Sequence, residues 1–162
     1  RLRRYYKNTT QTFSINQAFD EVITACAASR RAVKEDTWIT SDMLQAYKEL
    51  NRLGYAHSFE CWSDRQLVGG LYGIALGKVF FGESMFTLTA NSSKFAMIQL
   101  VNFLKTNKYR LIDCQMTTTH LVSLGARELD GKEFQRLLSR YIDSTLPDKI
   151  WSDDTDNEYR NM

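Results

Sequence analysis

The chain has 162 residues, 43% of them hydrophobic and 25% charged, with a net charge of +2 and an isoelectric point near 8.4. This suits one globular domain with a substantial core, and the charge is too mild to mark a nucleic-acid binder unless the basic residues cluster. Three cysteines without a CxxC pair argue against a disulfide framework and a zinc site, and no apolar run approaches the roughly 20 residues of a membrane span, so a reducing cytoplasm is the expected compartment.

The opening "RLRRYYKNTT" is basic and lacks the apolar stretch of a signal peptide. Next, "SINQAFDEVITACAASRR" reads as a helix. Ser14 and Gln17 form a capping box, and Ala18, Phe19, Val22, Ile23 and Cys26 lie on one stripe. In "SDMLQAYKELNRLG", Ser41 is the expected N-cap, Leu44, Tyr47 and Leu50 share a face, and Gly54 is the stop. "HSFECW", the polar turn "SDRQ" and "LVGGLYGIALGKVFFGESMF" follow, with the pattern of an antiparallel meander. Glycines 69, 70, 73, 77 and 82 would let another backbone or a ligand come close. "NSSKFAMIQLVNFLKTNKY" is apolar almost all round and is expected to be a heavily buried helix. After the short strand "YRLIDCQ" and the loop "MTTTHLVSLGA", a last helix, "DGKEFQRLLSRYI", opens with Asp130 and Glu133 as a capping box. The tail "WSDDTDNEYRNM" has no periodicity and is expected to be mobile. The order predicts an α+β domain over 1–150 with a mixed, largely antiparallel sheet flanked by helices, and a tail over 151–162.

Two places break the apolar pattern. Glu83 interrupts Val79, Phe80, Phe81, Met85 and Phe86, and a charge in such surroundings needs a partner unless it turns to water at a bulge or strand end beside Gly82. In "LIDCQ", strand alternation puts Asp113 and Gln115 on one face and Cys114 on the other. If the Glu83 strand lies alongside, three polar groups converge in an apolar cleft, the composition of a ligand or catalytic site. The plainer reading has Asp113 and Gln115 capping the following loop.

Taken together, "TWIT", "LNRLGYAHSFECW", "LVGGLYGIALGKVFFGESMF", "NSSK", "LIDCQ" and "HLVSLGARE" resemble the bacterial leucyl/phenylalanyl-tRNA–protein transferase family, from about Phe13 through Leu138. "FFGESMF" and "LIDCQ" are the specific motifs. The resemblance implies a fold like the GCN5-related N-acetyltransferases. It also implies transfer of Leu or Phe from aminoacyl-tRNA to proteins with N-terminal Arg or Lys, marking them for degradation by the N-degron pathway. It assigns catalysis to Gln115, which draws a proton from the attacking amine, to Asp113, which polarises Gln115, and to Glu83, which places the cationic acceptor. The donor side chain would lie among Leu71, Phe80, Met97, Leu100, Leu104 and Ile112, residues that are equally ordinary core. Trp38 would stack on the terminal adenine of the tRNA or, alternatively, fold onto the first helix as a lid. Arg1, Arg3, Arg4 and Lys7, with Arg30, Arg31 and Lys34, would hold phosphates or form a solvated face. The family's N-terminal domain, with a "WWSPDPR"-type segment, lies outside this chain, which opens on Arg1 rather than Met and reads as a fragment or trimmed product.

His57 and His120 have no ligand spacing around them and read as structural, so no metal is expected. Nor is a coenzyme A cofactor. The nearest string to a Q/R-x-x-G-x-G/A loop, "QLVGGL", ends in Leu71 and lies within a strand. A monomer is expected. The competing readings are a non-catalytic tRNA- or peptide-binding module and a small-molecule N-acyltransferase.

Overall fold

The alternating stretch from Ala56 to Thr87 folds into three antiparallel strands in a computed structural model that describes residues 6–7, 9–32, 40–145 and 150–151, the side chains of 30–32 set aside. These strands are β2 (Ala56–Ser63), β3 (Gln66–Leu76) and β4 (Val79–Thr87). Asp64 and Arg65 make the first turn with φ of +48° and +65°, the conformation that fits a two-residue hairpin to strand twist. Gly77 makes the second at φ +54°, and an added Cβ there would lie 2.1 Å from the Ile142 carbonyl oxygen.

Among the described residues two further strands extend the sheet, in the order β1-β2-β3-β4-β5. β1 (Thr12–Ile15) pairs antiparallel with β2, and β5 (Leu111–Asp113) pairs parallel with β4. A parallel neighbour needs a crossover, which is the helix "SSKFAMIQLVNFLKT". The sheet is thus mixed and largely antiparallel, as expected. β1 is the addition. Ser14 sits in this strand and not at a helix N-cap, and its hydroxyl donates to Glu60 Oε2 at 2.5 Å.

Helices cover both faces. α1 (Phe19–Ala32) and α2 (Ser41–Arg52) pack on one, where Phe19, Val22, Ile23, Cys26 and Tyr47 meet Ala56, Tyr72 and Phe86. Thr40, one residue before the expected Ser41, caps α2 by accepting from Met43 N at 3.3 Å, and Gly54 ends it at φ +82°. α3 (Ser92–Thr106) covers the other face with Ala96, Leu100, Phe103 and Leu104. The Ser92 hydroxyl joins its first turn to the sheet through the Val68 carbonyl at 2.7 Å. Within "MTTTHLVSLGA" a short α4 (Thr119–Ser123) replaces part of the expected loop. α5 (Gly131–Tyr141) is capped by Asp130 alone. Its carboxylate accepts from both Lys132 N and Glu133 N at 3.0 Å, while Glu133 pairs with Arg136, so the reciprocal half of the expected capping box is absent.

At the start of the expected mobile tail, Trp151 packs into the α3-side core. Residues 152–162 lie outside the described residues. Among the described residues no helix is long and apolar enough to cross a membrane.

Candidate active site

Glu83 owes its position to an irregularity. The β3–β4 register pairs Tyr72 with Ser84 but Gly73 with Gly82, which leaves Glu83 as the extra residue of a β-bulge. A bulge bends its strand and re-aims one side chain, so a carboxylate can leave the apolar alternation of its neighbours. Gly73 makes the bulge possible. A Cβ there would lie 2.2 Å from the Phe81 carbonyl oxygen and 2.6 Å from the Phe80 ring, so it is the protein's own chain that closes in on this glycine. Glu83 therefore lies on a bulge and has a partner there. That partner is Tyr47 of α2. Burial, then the charge of Glu83, then the hydrogen bond the phenol donates to it hold the Tyr47 hydroxyl above its ordinary range.

Asp113 ends β5. The parallel register sets it against Phe81, and pairing stops there while β4 runs on to Thr87. The strand splits from its neighbour just where Gly82 and Glu83 begin. Strand alternation does not extend to Gln115. That residue has φ +62° and is exposed, and its backbone N–H donates to Asp113 Oδ1 at 2.8 Å. The first contact of Asp113 is thus with the main chain of Gln115, which fixes the direction in which the left-handed residue leaves the strand. Burial, and then the charge of Asp113, raise the Cys114 thiol, so the cysteine between them is a protonated thiol and a poor nucleophile.

All six residues matched to the donor pocket meet in one apolar cluster on the α3 side. Leu71, Phe80, Leu100 and Leu104 are no more than 2% exposed, while Met97 and Ile112 are partly buried. Alternation from Ile112 puts Asp113 on the opposite face of β5, towards α1 and α2, the side on which Tyr47 holds Glu83. The apolar cluster thus lies on one face of the sheet, and Asp113 and the Tyr47–Glu83 pair lie on the other.

Three residues of this region escape the sequence reading. Tyr47 looks like one more core position on its helical stripe. Ser84, next to the bulge, has a buried hydroxyl without a partner among the described residues. Trp151 is hidden by the polar tail around it. Trp38, Arg1, Arg3, Arg4 and Lys34 lie outside the described residues; so do the side chains of Arg30 and Arg31, whose backbone ends α1. Lys7 is exposed. Among the described residues no three His, Cys, Asp or Glu side chains gather as a metal site, and "QLVGGL" lies in β3.

The family described as Leucyl/phenylalanyl-tRNA protein transferase matches residues 1–139. The chain belongs to this family. A relative from Desulfotalea psychrophila is 52% identical over 151 residues, covering 93% of this chain and 66% of its own length. One from Syntrophobacter fumaroxidans is 47% identical over 150 residues, 93% of this chain and 64% of the relative. Both bear the name leucyl/phenylalanyl-tRNA–protein transferase, and the chain spans just under two thirds of their length. Among solved structures, a ribosomal-protein-alanine N-acetyltransferase from Brucella melitensis superposes with a TM-score of 0.59 at 13% identity, over 75% of this chain and 93% of that one. A probable acetyltransferase gives 0.57 at 8% identity, over 75% and 92%. The fold of this family member is that of the GCN5-like acetyltransferases.

Proposed function

We propose that the protein transfers Leu or Phe from aminoacyl-tRNA to the α-amino group of proteins with N-terminal Arg or Lys, marking them for degradation through the N-degron pathway. The family match across residues 1–139 is the observation that carries this reading. The ester on the tRNA is already activated, so the main task is to hold an amine against its carbonyl. An α-amino group with a pKa of about 7.7–8.0 is partly neutral at pH 7, and no strong base is required. The amine nitrogen bonds to the ester carbonyl carbon, the ester C–O bond breaks, and the terminal ribose hydroxyl of the tRNA leaves with the proton the amine gives up.

In this reading the Gln115 side-chain carbonyl accepts the proton in transit, and Asp113 both polarises Gln115 and fixes its backbone through the bond at 2.8 Å. Glu83 receives the cationic acceptor terminus. It is half-buried and anchored by a neutral phenol, so its charge stays available for an incoming cation. The Leu71–Phe80–Leu100 cluster takes the donor side chain, at roughly 1.5–3 kcal/mol for burying a Leu or Phe. Trp38 stacks on the terminal adenine, and the basic clusters hold phosphates, so affinity falls with salt. The reaction belongs in the cytoplasm, draws on no cofactor, and is carried out by a monomer.

The test incubates the intact protein with phenylalanyl-tRNA and two short peptides, one beginning with Arg and one with Ala. Mass spectrometry should find one added Phe on the Arg peptide alone. Addition to neither, with charged tRNA still bound, would replace this reading by a binding module.

A further inference from the structure

The apolar cluster assigned to the donor side chain is closed by a residue from outside the sheet and α3. Trp151 reaches it after α5. Its ring stacks on His57 at 3.7 Å and 7°, lies 4.5 Å from Phe103 and 6.3 Å from Phe80, and its indole N–H donates to the Tyr109 hydroxyl at 3.1 Å. One face and one edge are therefore fixed at once, which leaves the ring little freedom to turn.

The burial pattern says which residues an entering side chain would meet. Phe59, Leu71, Phe80, Leu100 and Leu104 are almost fully enclosed. The partly buried members packed on them include Met97, Ile112 and Trp151. Met97 yields, because an unbranched thioether can change rotamer at little cost. Ile112 is short and held in a strand. Trp151 is the largest of the partly buried side chains packed on this cluster and is doubly held, which makes it the one least able to make room.

We propose that Trp151 is the size-limiting wall of the donor pocket and so a specificity-determining residue. This rests on the reading that the cluster receives the Leu or Phe of the aminoacyl-tRNA. It makes Trp151 part of donor selection: the wall favours a single phenyl ring over an indole.

The test compares transfer from tRNA charged with Leu, Phe or Trp to an Arg-initiated peptide, using the intact protein and its Trp151→Ala and Trp151→Phe variants. The wild type reads the underlying function: if it transfers neither Leu nor Phe, the transferase reading itself fails. Given wild-type transfer, Trp151→Ala should raise kcat/KM for Trp relative to Leu by about tenfold or more, since pocket contacts discriminate by such factors. Trp151→Phe keeps an aromatic ring on His57 and should shift the ratio in the same direction by a smaller factor, which covers the case in which the Ala variant does not fold. Uniform losses for all three donors, with the ratios unchanged in every folded variant, would show that Trp151 only supports the fold and would overturn the proposal.

Discussion

Glu60 and Glu83 lie in the same sheet, and their surroundings could hardly differ more. Glu60, fully buried on β2, accepts from the Ser14 and Ser58 hydroxyls at 2.5 Å each and from the backbone N–H groups of Gln17 and Ala18. Trp62 Nε1 donates to Ser14 at 2.7 Å and extends the network. Burial pushes the Glu60 carboxyl up, against the pull of those four donors. Glu83 is half-buried on a bulge and takes one phenol. A carboxylate with every lone pair engaged joins β1, β2 and the start of α1, and has nothing left for a ligand. One that is half-buried and takes a phenol among the described residues keeps acceptor capacity. The contrast teaches that satisfaction, more than burial or apolar neighbours, separates the structural carboxylate from the one proposed to bind the acceptor.

The sharpest way to break this comparison is to remove each carboxylate. Glu60→Leu leaves two hydroxyls and two N–H groups unpaired in the core and should cost about 3–5 kcal/mol in urea unfolding. A change within about 1 kcal/mol would mean that the network is dispensable.

The next effect, on the same strand, depends on pH. Asn16 Oδ1 accepts from Ser58 N at 3.0 Å, so its Nδ2 donates to His57 Nδ1, also at 3.0 Å, and His57 is the neutral tautomer with its proton on Nε2. Burial lowers its pKa to about 3 from an ordinary value of 6.5. Between those values the unfolded chain takes up a proton that the folded one refuses. Stability is therefore present above pH 6.5 and lost as pH falls, by about 3 kcal/mol at pH 4. His57→Phe should flatten that slope, whereas an unchanged slope would assign it to other groups.

Glu83→Gln should do the reverse of Glu60→Leu. Stability should stay within about 1 kcal/mol, while kcat/KM for an Arg-initiated peptide falls about tenfold to a hundredfold, the worth of one hydrogen bond to a charged group. Loss of stability without loss of selectivity for Arg over Ala peptides would move Glu83 to the structural side of the comparison.

Why was one half of this contrast legible and the other not? Glu83 shows itself in "FFGESMF" because a charge breaks a run of apolar residues, and the six residues proposed for the donor pocket can be named because they match a family pattern. The Glu60 network is invisible because only Ser58 is a near neighbour, while the Ser14 hydroxyl comes from 46 residues away and the Gln17 and Ala18 N–H groups from just beyond it, between β1 and α1. Ser14 and Gln17 mimic a capping box, and local spacing gives no sign that the serine faces a buried carboxylate. Tyr47 fits its helical stripe by its ring, so its hydroxyl goes unnoticed. Trp151 stands among polar residues without periodicity, and only the folded chain brings it back to His57.

The smallest effect concerns the backbone of Gln115. A non-glycine residue at φ +62° costs roughly 1–2 kcal/mol compared with a right-handed conformation, a cost glycine does not bear. Glycine loses part of that advantage through its greater freedom in the unfolded chain. Gln115→Gly should therefore raise stability slightly, by about 0.5 kcal/mol, with the Asp113 Oδ1 bond to the residue 115 N–H retained. At the same time it removes the amide assigned to the proton in transit, so kcat should fall far more than tRNA binding. Gain of stability with loss of rate is the pattern of a residue kept for its side chain at a strained position. If Gln115→Gly destabilises the protein, the exposed amide is repaying its strain through contacts within the fold, and Gln115 joins Glu60 on the structural side.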